Sequence, residues 1–231
     1  MTQVNKGTAL ITGASGGIGA VYAEQLAQRG YDLILVARNT QRLQALADRI
    51  QDETGQRVEL IAADLTSNAG LADVEARLRN DSNITLLVNN AGTGTHTPLL
   101  DSDITQMSKM ITLNISALTR LTYAAVPGFV ARGHGSIINI SSIVSIAPEI
   151  LNGVYGASKA YVTAFSQSLH HELADKGLRI QAVLPGATAT EFWENGGLPL
   201  AHLPPEIVMS ATDLVSAALL DFDRGELISI P

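Results

Sequence analysis

The chain has 231 residues, of which 46% are hydrophobic and 16% are charged, with a formal net charge of -7 and no cysteine. This composition is typical of a globular protein and excludes disulfides and thiolate chemistry. The acidic charge, without any run of Lys or Arg, argues against a protein that binds nucleic acid or an anionic membrane. The polar start "MTQVNKG" lacks the features of a signal peptide, and no apolar stretch is long enough to span a bilayer, so we expect a soluble cytoplasmic protein.

Short apolar runs alternate with longer amphipathic stretches along the chain. The predicted strands cover residues 8–13, 32–37, 58–63, 84–89, 136–141, 179–185 and 226–230, and the predicted helices cover 17–29, 40–54, 67–79, 103–132, 153–176 and 211–222. Most of the short runs are apolar at consecutive positions, which is typical of strands buried on both faces. The alternation predicts an α/β fold: a single Rossmann-like, doubly wound domain over residues 1–231, with a seven-stranded parallel sheet flanked by helices on both faces.

Three residues predict where helices end or bend. Gly30 and Gly177 each follow a helical pattern whose last turn carries a basic residue, as expected at a helix C-terminus. Pro127 lies late in the 103–132 pattern and predicts a bend or a break there.

Residues 190–209 depart from the alternating pattern. They contain two glycines and three prolines, together with Phe192 and Trp193. Large apolar side chains in a turn-rich segment predict a lid that closes over a substrate. The alternative is a loop whose aromatic residues fill the edge of the core.

Four glycines are concentrated between the first predicted strand and the first predicted helix, at Gly13, Gly16, Gly17 and Gly19. The end of a parallel strand that meets a helix N-terminus is where this fold binds ligands, and the unpaired N–H groups there attract phosphate. Glycines allow a tight turn and a close approach of the pyrophosphate to the backbone. The spacing is G-x-x-x-G-x-G rather than G-x-G-x-x-G, so the motif alone leaves open a glycine-rich turn without a ligand.

The end of the second strand, "LVARN", predicts which dinucleotide is bound. An NAD-selective domain usually carries an acidic residue here to bind the ribose hydroxyls, but this chain has Ala37 and Arg38. Asp32 lies at the opposite end of the strand. Arg38 can pair with a 2′-phosphate, which favours NADP(H) over NAD(H), whereas the alternative is an Arg38 that is simply solvated.

Four residues further along form a possible catalytic group. Tyr155 and Lys159 are four positions apart and share one face of a predicted helix. A positive charge beside a phenol favours the phenolate, so Tyr155 could act as a general acid or base. Ser142 lies at the carboxyl end of the fifth strand, where its hydroxyl could bind a substrate oxygen, and Asn114 lies within a predicted helix.

Together these motifs resemble the short-chain dehydrogenase/reductase family in its compact single-domain form. The resemblance covers about residues 7–190 and rests on the glycine turn from Thr12 to Gly19, "AADL" ending near Asp64, "NNAG" at 89–92, the tetrad and "PGATAT" at 185–190. It implies a catalytic tetrad of Asn114, Ser142, Tyr155 and Lys159. It also implies cofactor contacts from Gly13, Ser15, Gly17, Ile18, Gly19, Arg38, Asp64, Leu65, Asn90, Ala91, Gly92, Tyr155, Lys159, Pro185, Gly186, Thr188 and Thr190.

The resemblance implies hydride transfer between the nicotinamide of NADP(H) and a carbonyl or secondary alcohol. Tyr155 would exchange the proton, Lys159 would lower the pKa of Tyr155 and hold the ribose, Ser142 would bind the carbonyl oxygen, and Asn114 would anchor a water in a proton relay. We expect a small substrate with hydrophobic bulk, contacted by Ser142, Tyr155, Phe192 and Trp193. No metal is expected, and the family implies a homodimer or homotetramer.

Two other functions remain open at this point. One is an NAD-linked dehydrogenase that oxidises an alcohol or a hydroxy acid. The other is a protein that binds NADP without turnover, although such a protein has no need for Tyr155 and Ser142 together.

Overall fold

The computed structural model describes residues 6–231, except for the side chain of Asn195; the first five residues of the polar start lie outside it. The strands are β1 (Thr8–Thr12), β2 (Asp32–Ala37), β3 (Val58–Ala62), β4 (Ile84–Asn89), β5 (Gly135–Ile140), β6 (Leu178–Val183), β7 (Ala187–Ala189), β8 (Val208–Ser210) and β9 (Ile228–Ser229). The α-helices are α1 (Gly17–Gln28), α2 (Thr40–Thr54), α3 (Asn68–Asn80), α4 (Ile104–Ile111), α5 (Leu118–Arg132), α6 (Gly153–Glu172), α7 (Phe192–Asn195) and α8 (Ala211–Arg224).

Seven strands form one parallel sheet in the order β3-β2-β1-β4-β5-β6-β9. The prediction of a doubly wound, seven-stranded parallel sheet is confirmed. Each strand directs alternate side chains to opposite faces. In β1, Ile11 packs in one core cluster with α1 and α8, whereas Leu10 packs in the other cluster with α3 and α5. This two-sided burial explains why the strands are apolar at consecutive positions.

The two glycines predicted to end helices behave differently. Gly30 directly follows the C-cap of α1 and has φ +93°, and its N–H donates to the Ala27 carbonyl oxygen at 2.9 Å. The prediction for Gly177 is wrong, because α6 already ends at Glu172. Gly177 instead forms the turn before β6 with φ +75°, where a Cβ would overlap the carbonyl oxygen of Gly133. Glycine is required there by the close approach of two turns.

The predicted helix over 103–132 is divided, but not at Pro127. Helix α5 continues past Pro127 to Arg132. The irregularity is a π-helical turn at Thr112–Ala117, which lies between α4 and α5 and contains Asn114. Single π-helical turns inside helices often occur at functional sites, because the extra residue redirects a side chain.

The 190–209 segment is more ordered than its glycines and prolines indicate. It contains α7 and short 3₁₀ turns at Leu200–His202 and Pro205–Ile207, and it leads into β8. Strand β8 pairs with β7 in a small second sheet, which fixes both ends of the segment. The sequence analysis did not predict β7 or β8, because strands of three residues have almost no periodicity to detect.

Candidate active site

The candidate site lies where the strand order reverses. Strand β1 has β2 on one side and β4 on the other, so the connections leaving β1 and β4 turn to opposite faces of the sheet. A crevice forms at the carboxyl ends of the strands at such a switch point. The glycine turn follows β1, and Asn90 to Gly92 follow β4. Ser142 follows β5, so all three predicted motifs meet at one edge of the sheet.

The glycine turn is held directly against the end of β4. Gly13 has φ +67°, and a Cβ on it would lie 2.9 Å from the Cα of Ala91. The Asn90 side-chain amide donates to the carbonyl oxygens of Thr12 at 2.9 Å and Gly13 at 3.2 Å. The side chain of Asn90 therefore positions the turn, a role that its predicted assignment to cofactor contact did not include.

Asn114 braces the chain that follows β4. Its Oδ1 accepts from the Thr93 N–H at 3.0 Å, and its Nδ2 donates to the Thr93 carbonyl oxygen at 2.8 Å and to Ser158 Oγ at 3.0 Å. A Cβ on Gly92 would lie 3.2 Å from Asn114 Oδ1 and 3.5 Å from Lys159 Nζ. Asn114, in the π-helical turn, and Lys159, in α6, thus both lie beside the same face of Gly92.

Ser142 and Tyr155 meet at the start of α6. Asn152 caps this helix, with its Oδ1 accepting from the Val154 N–H at 2.9 Å, so Tyr155 lies in the first helical turn. Tyr155 is 5% exposed, and Ser142 is the side chain that acts to lower its pKa. The Ser142 hydroxyl also lies 3.4 Å from the Pro185 carbonyl oxygen, which ties it to the end of β6.

Lys159 is buried one helical turn after Tyr155. Its Nζ donates to the Ile140 carbonyl oxygen at 2.9 Å and lies 5.9 Å from the centre of the Tyr155 ring. Burial lowers the pKa of Lys159 to about 8. The arrangement of Tyr155 and Lys159 on one face of a helix is therefore present.

The expected lowering of the Tyr155 pKa is wrong for this structure. Burial raises the pKa of Tyr155 to about 12, and the hydrogen bond with Ser142 acts in the opposite direction with a smaller effect. The physical reason is that a buried phenolate loses its hydration, while the Lys159 ammonium is directed to the Ile140 carbonyl. Tyr155 is consequently a neutral phenol near pH 7 and holds a proton that it can donate.

Two charged residues predicted to contact the adenosine half lie at the exposed edge of the crevice. Arg38 follows β2, and its charge is one of the influences that lower the pKa of Asp64. The largest influence on Asp64 is its hydrogen bond from the Thr66 hydroxyl at 2.7 Å. This bond fixes one carboxylate oxygen of Asp64. Asp32, at the other end of β2, forms an ion pair with Arg57 at 3.0 Å.

The chain after β6 crosses in front of the glycine turn. A Cβ on Gly17, which has φ +54°, would lie 3.3 Å from the Thr190 Cβ. Thr188 is buried, and its hydroxyl donates to the Gly186 carbonyl oxygen at 3.2 Å. Thr188 and Thr190 thus lie beside the crevice, as predicted for residues near a cofactor.

A small apolar cleft lies beside Tyr155. Its lining consists of Gly94, Thr95, His96, Leu151, Tyr155, Phe192, Trp193, Gly196 and Leu198. The Phe192 ring packs 5.7 Å from the Tyr155 ring, centre to centre, and 5.8 Å from the Trp193 ring. The structure therefore brings Phe192 and Trp193 close to Tyr155; their contact with a substrate stays a prediction.

The wall of the cleft formed by Gly94, Thr95 and His96 was not predicted from the sequence. His96 Nδ1 lies 3.0 Å from the Gly196 carbonyl oxygen, and Asn152 Nδ2 donates to the Thr97 carbonyl oxygen at 2.6 Å. Gly94 is required because its Cβ would overlap the Phe192 ring. The only signal for this wall was the run of small polar residues after "NNAG", which does not indicate what it faces.

The residues at the switch point fit a dinucleotide. Gly13 and Gly17 have positive φ values in the turn before α1, and Gly17 is exposed. Gly16, the N-cap of α1, has no side chain to cap the helix, so the first N–H groups are available to a phosphate. Within residues 6–231 there is no cluster of three or more His, Asp or Glu suited to a metal ion, and no helix is long and apolar enough to cross a membrane.

The reversed strand order and the glycine turn define a Rossmann-type protein, and the comparison with known proteins identifies its family. The profile described as short chain dehydrogenase matches residues 7–197. An uncharacterized oxidoreductase from Staphylococcus epidermidis is 32% identical over 219 residues, which are 92% of this chain and 94% of that protein. The chain belongs to the short-chain dehydrogenase/reductase family, a family of oxidoreductases.

Two solved structures are similar over nearly the whole chain. A short-chain dehydrogenase from Sphingobium yanoikuyae, in complex with NADPH, is 51% identical with a TM-score of 0.95, covering 97% of this chain and 87% of that chain. The bulky-bulky ketone specific alcohol dehydrogenase from Comamonas testosteroni is 46% identical with a TM-score of 0.91, covering 99% of this chain and 87% of that chain.

Proposed function

We propose that this protein is an NADP-dependent reductase of ketones that carry apolar groups on both sides of the carbonyl. The observation that carries the proposal is the buried Tyr155, which lines an apolar cleft and whose pKa is influenced by Ser142. A relative of 46% identity is named as specific for bulky-bulky ketones, and the aromatic pair of Phe192 and Trp193 supplies apolar contact for such a substrate.

In this proposal, NADPH supplies the hydride when it is bound. Tyr155, a protonated phenol at neutral pH, donates a proton to the oxygen of the substrate. Ser142 donates a hydrogen bond to the same oxygen and stabilises the negative charge that develops on it. Lys159 binds the ribose hydroxyls and holds a positive charge behind Tyr155. Asn114 holds the chain after β4 in place through its hydrogen bonds with Thr93, and it anchors a water that links Lys159 to solvent.

The proposed preference for NADP rests on the end of β2. Arg38 is exposed there, and its charge favours a 2′-phosphate. The acidic residue of β2, Asp32, lies at the opposite end of the strand and forms an ion pair with Arg57. We further propose that Asp64 and Leu65 bind the adenine, that Pro185 to Thr190 bind the nicotinamide side, and that residues 190–209 form a lid over the substrate.

The experiment is a measurement of NADPH and NADH oxidation with a panel of ketones of increasing bulk on one side and on both sides of the carbonyl. Aldehydes and 3-oxoesters complete the panel. We expect a higher kcat/KM with NADPH and with ketones that are bulky on both sides. A preference for NADH would contradict the cofactor assignment. Tight NADPH binding without consumption by any carbonyl would support a protein that binds the cofactor without turnover.

A further inference from the structure

One ion pair joins the adenosine end of the crevice to the 190–209 segment. Arg42, in the first turn of α2, donates from Nη1 to Glu191 Oε2 at 2.6 Å and from Nη2 to Glu191 Oε1 at 3.0 Å. The two residues are 149 positions apart in sequence. The side chains remain 51% and 61% exposed, so water competes for this pair and its partners exchange readily.

This ion pair lies over the glycine turn. Arg42 Nη1 is 3.8 Å from the position of a Cβ on Gly16, the residue that precedes the first N–H groups of α1. Thr190, the neighbour of Glu191, lies 3.2 Å from the position of a Cβ on Gly17. The Arg42 guanidinium is therefore within a few ångströms of the turn whose N–H groups are available to a phosphate.

We propose that Arg42 is a second binding residue for the 2′-phosphate of NADP, and that Glu191 holds Arg42 until that phosphate displaces it. The inference rests on the proposed use of NADP. A phosphate dianion attracts a guanidinium more strongly than a carboxylate does, and it repels Glu191. A cofactor without the 2′-phosphate has no charge with which to displace Glu191.

Displacement of Glu191 would also change the position of residues that line the cleft beside Tyr155. Glu191 directly precedes α7, which carries Trp193, and the Trp193 Nε1 donates to the Thr188 carbonyl oxygen at 2.9 Å. Phe192 links the same turn to Tyr155. The 2′-phosphate thereby controls both cofactor affinity and the wall of the substrate site. Trp193 is the single tryptophan of the chain, so its fluorescence reports on this segment alone.

The test compares the dissociation constants of NADP⁺ and NAD⁺ in the wild type, Arg42→Gln and Glu191→Gln. We expect Arg42→Gln to weaken NADP⁺ binding about 10-fold, because a charge-assisted contact is lost, and Glu191→Gln to strengthen it about 3-fold, because a competitor is removed. NAD⁺ binding should change less than about 2-fold in both variants. A purely structural ion pair predicts that the two variants change NADP⁺ binding in the same direction, and that result would overturn the proposal.

Trp193 fluorescence provides a second readout. NADP⁺ and 2′,5′-ADP should change the emission of the wild type, whereas NAD⁺ and 5′-AMP should change it less. Without any ligand, the Trp193 emission of Glu191→Gln should already resemble that of the wild type with 2′,5′-ADP bound. Equal responses to 2′,5′-ADP and 5′-AMP in the wild type would contradict the proposed displacement.

Two further variants separate this inference from the proposed function. Arg49 pairs with Glu24 at 2.6 Å and is also 51% exposed, so Arg49→Gln is a matched control that should leave NADP⁺ binding unchanged. Arg38→Gln tests the proposed NADP preference itself. Suppose that the wild type prefers NADP⁺ and that Arg38→Gln loses this preference. If Arg42→Gln and Glu191→Gln then change the NADP⁺ dissociation constant in the same direction, only the present inference fails. If the wild type shows no preference for NADP⁺, the proposed cofactor assignment fails first.

Discussion

The two walls of the apolar cleft beside Tyr155 are held in different ways. The wall formed by α6 is anchored inside the core: Lys159 Nζ donates to the Ile140 carbonyl oxygen, and the Ser141 hydroxyl donates to the Lys159 carbonyl oxygen at 2.8 Å. The wall formed by the 190–209 segment depends on contacts nearer the surface, including the exposed Arg42–Glu191 ion pair. Proton transfer requires a fixed geometry, whereas substrate choice tolerates a wall that can change. The following predictions test this difference.

The largest effect is expected at the buried wall. Tyr155→Phe should lower kcat about 10³-fold while leaving the NADPH dissociation constant nearly unchanged, because only the proton donor is removed. Tyr161→Phe is a matched control: it removes another hydroxyl of α6, one that lies 2.8 Å from Thr119 Oγ1. Equal turnover in Tyr155→Phe and the wild type would disprove the assignment of the general acid.

The burial of Lys159 should appear in the pH dependence of stability. Its pKa is about 8 in the folded chain and near the ordinary value of 10.5 when unfolded, so the unfolded state binds more protons between these values. The free energy of unfolding should therefore rise with pH in this window, and Lys159→Met should lack this rise. Between pH 7.5 and 9.5 the difference between the two proteins should change by about 2 kcal/mol, as measured by urea denaturation. A difference that does not change with pH would mean that the pKa is not lowered.

A third prediction concerns the rigid backbone beneath the buried wall. A Cβ on Gly19 would meet the Gly13 carbonyl oxygen at 2.5 Å and the Asn90 side chain. Gly19→Ala should therefore lower the free energy of unfolding by about 2 kcal/mol and weaken cofactor binding. Gly153→Ala is the control, since a Cβ there meets nothing within 4 Å. Similar stabilities of the two variants would show that the turn can adjust.

The smallest effect is expected at the wall that can change. Trp193→Ala should raise KM about 10-fold for a ketone that is bulky on both sides, with little change in kcat, because apolar contact is lost away from the reacting atoms. The KM of a small ketone should hardly change. Leu200→Ala alters the same segment at a residue that does not line the cleft and serves as the control. An unchanged KM for every ketone would mean that Trp193 does not contact the substrate.

The residues of the buried wall were predictable because their signals are local. Tyr155 and Lys159 fall on one helix face, and the apolar strands place Ser142 at the carboxyl edge of the sheet. The direction of the Tyr155 pKa shift was not predictable, because it depends on how deeply the phenol is buried and on which acceptor binds Lys159. Arg42 was missed for a similar reason: its partner lies 149 positions away.

The sequence by itself determined the strand and helix alternation, the glycine turn and the tetrad, since hydrophobic periodicity and short motifs act over neighbouring residues. Only the tertiary structure decided that the 103–132 helix divides at the π-helical turn of Asn114, that Phe192 packs on Tyr155, and that Arg42 reaches Glu191. Those features arise from contacts between distant parts of the chain. They depend on how the helices and strands pack against each other, and local sequence patterns do not predict that packing.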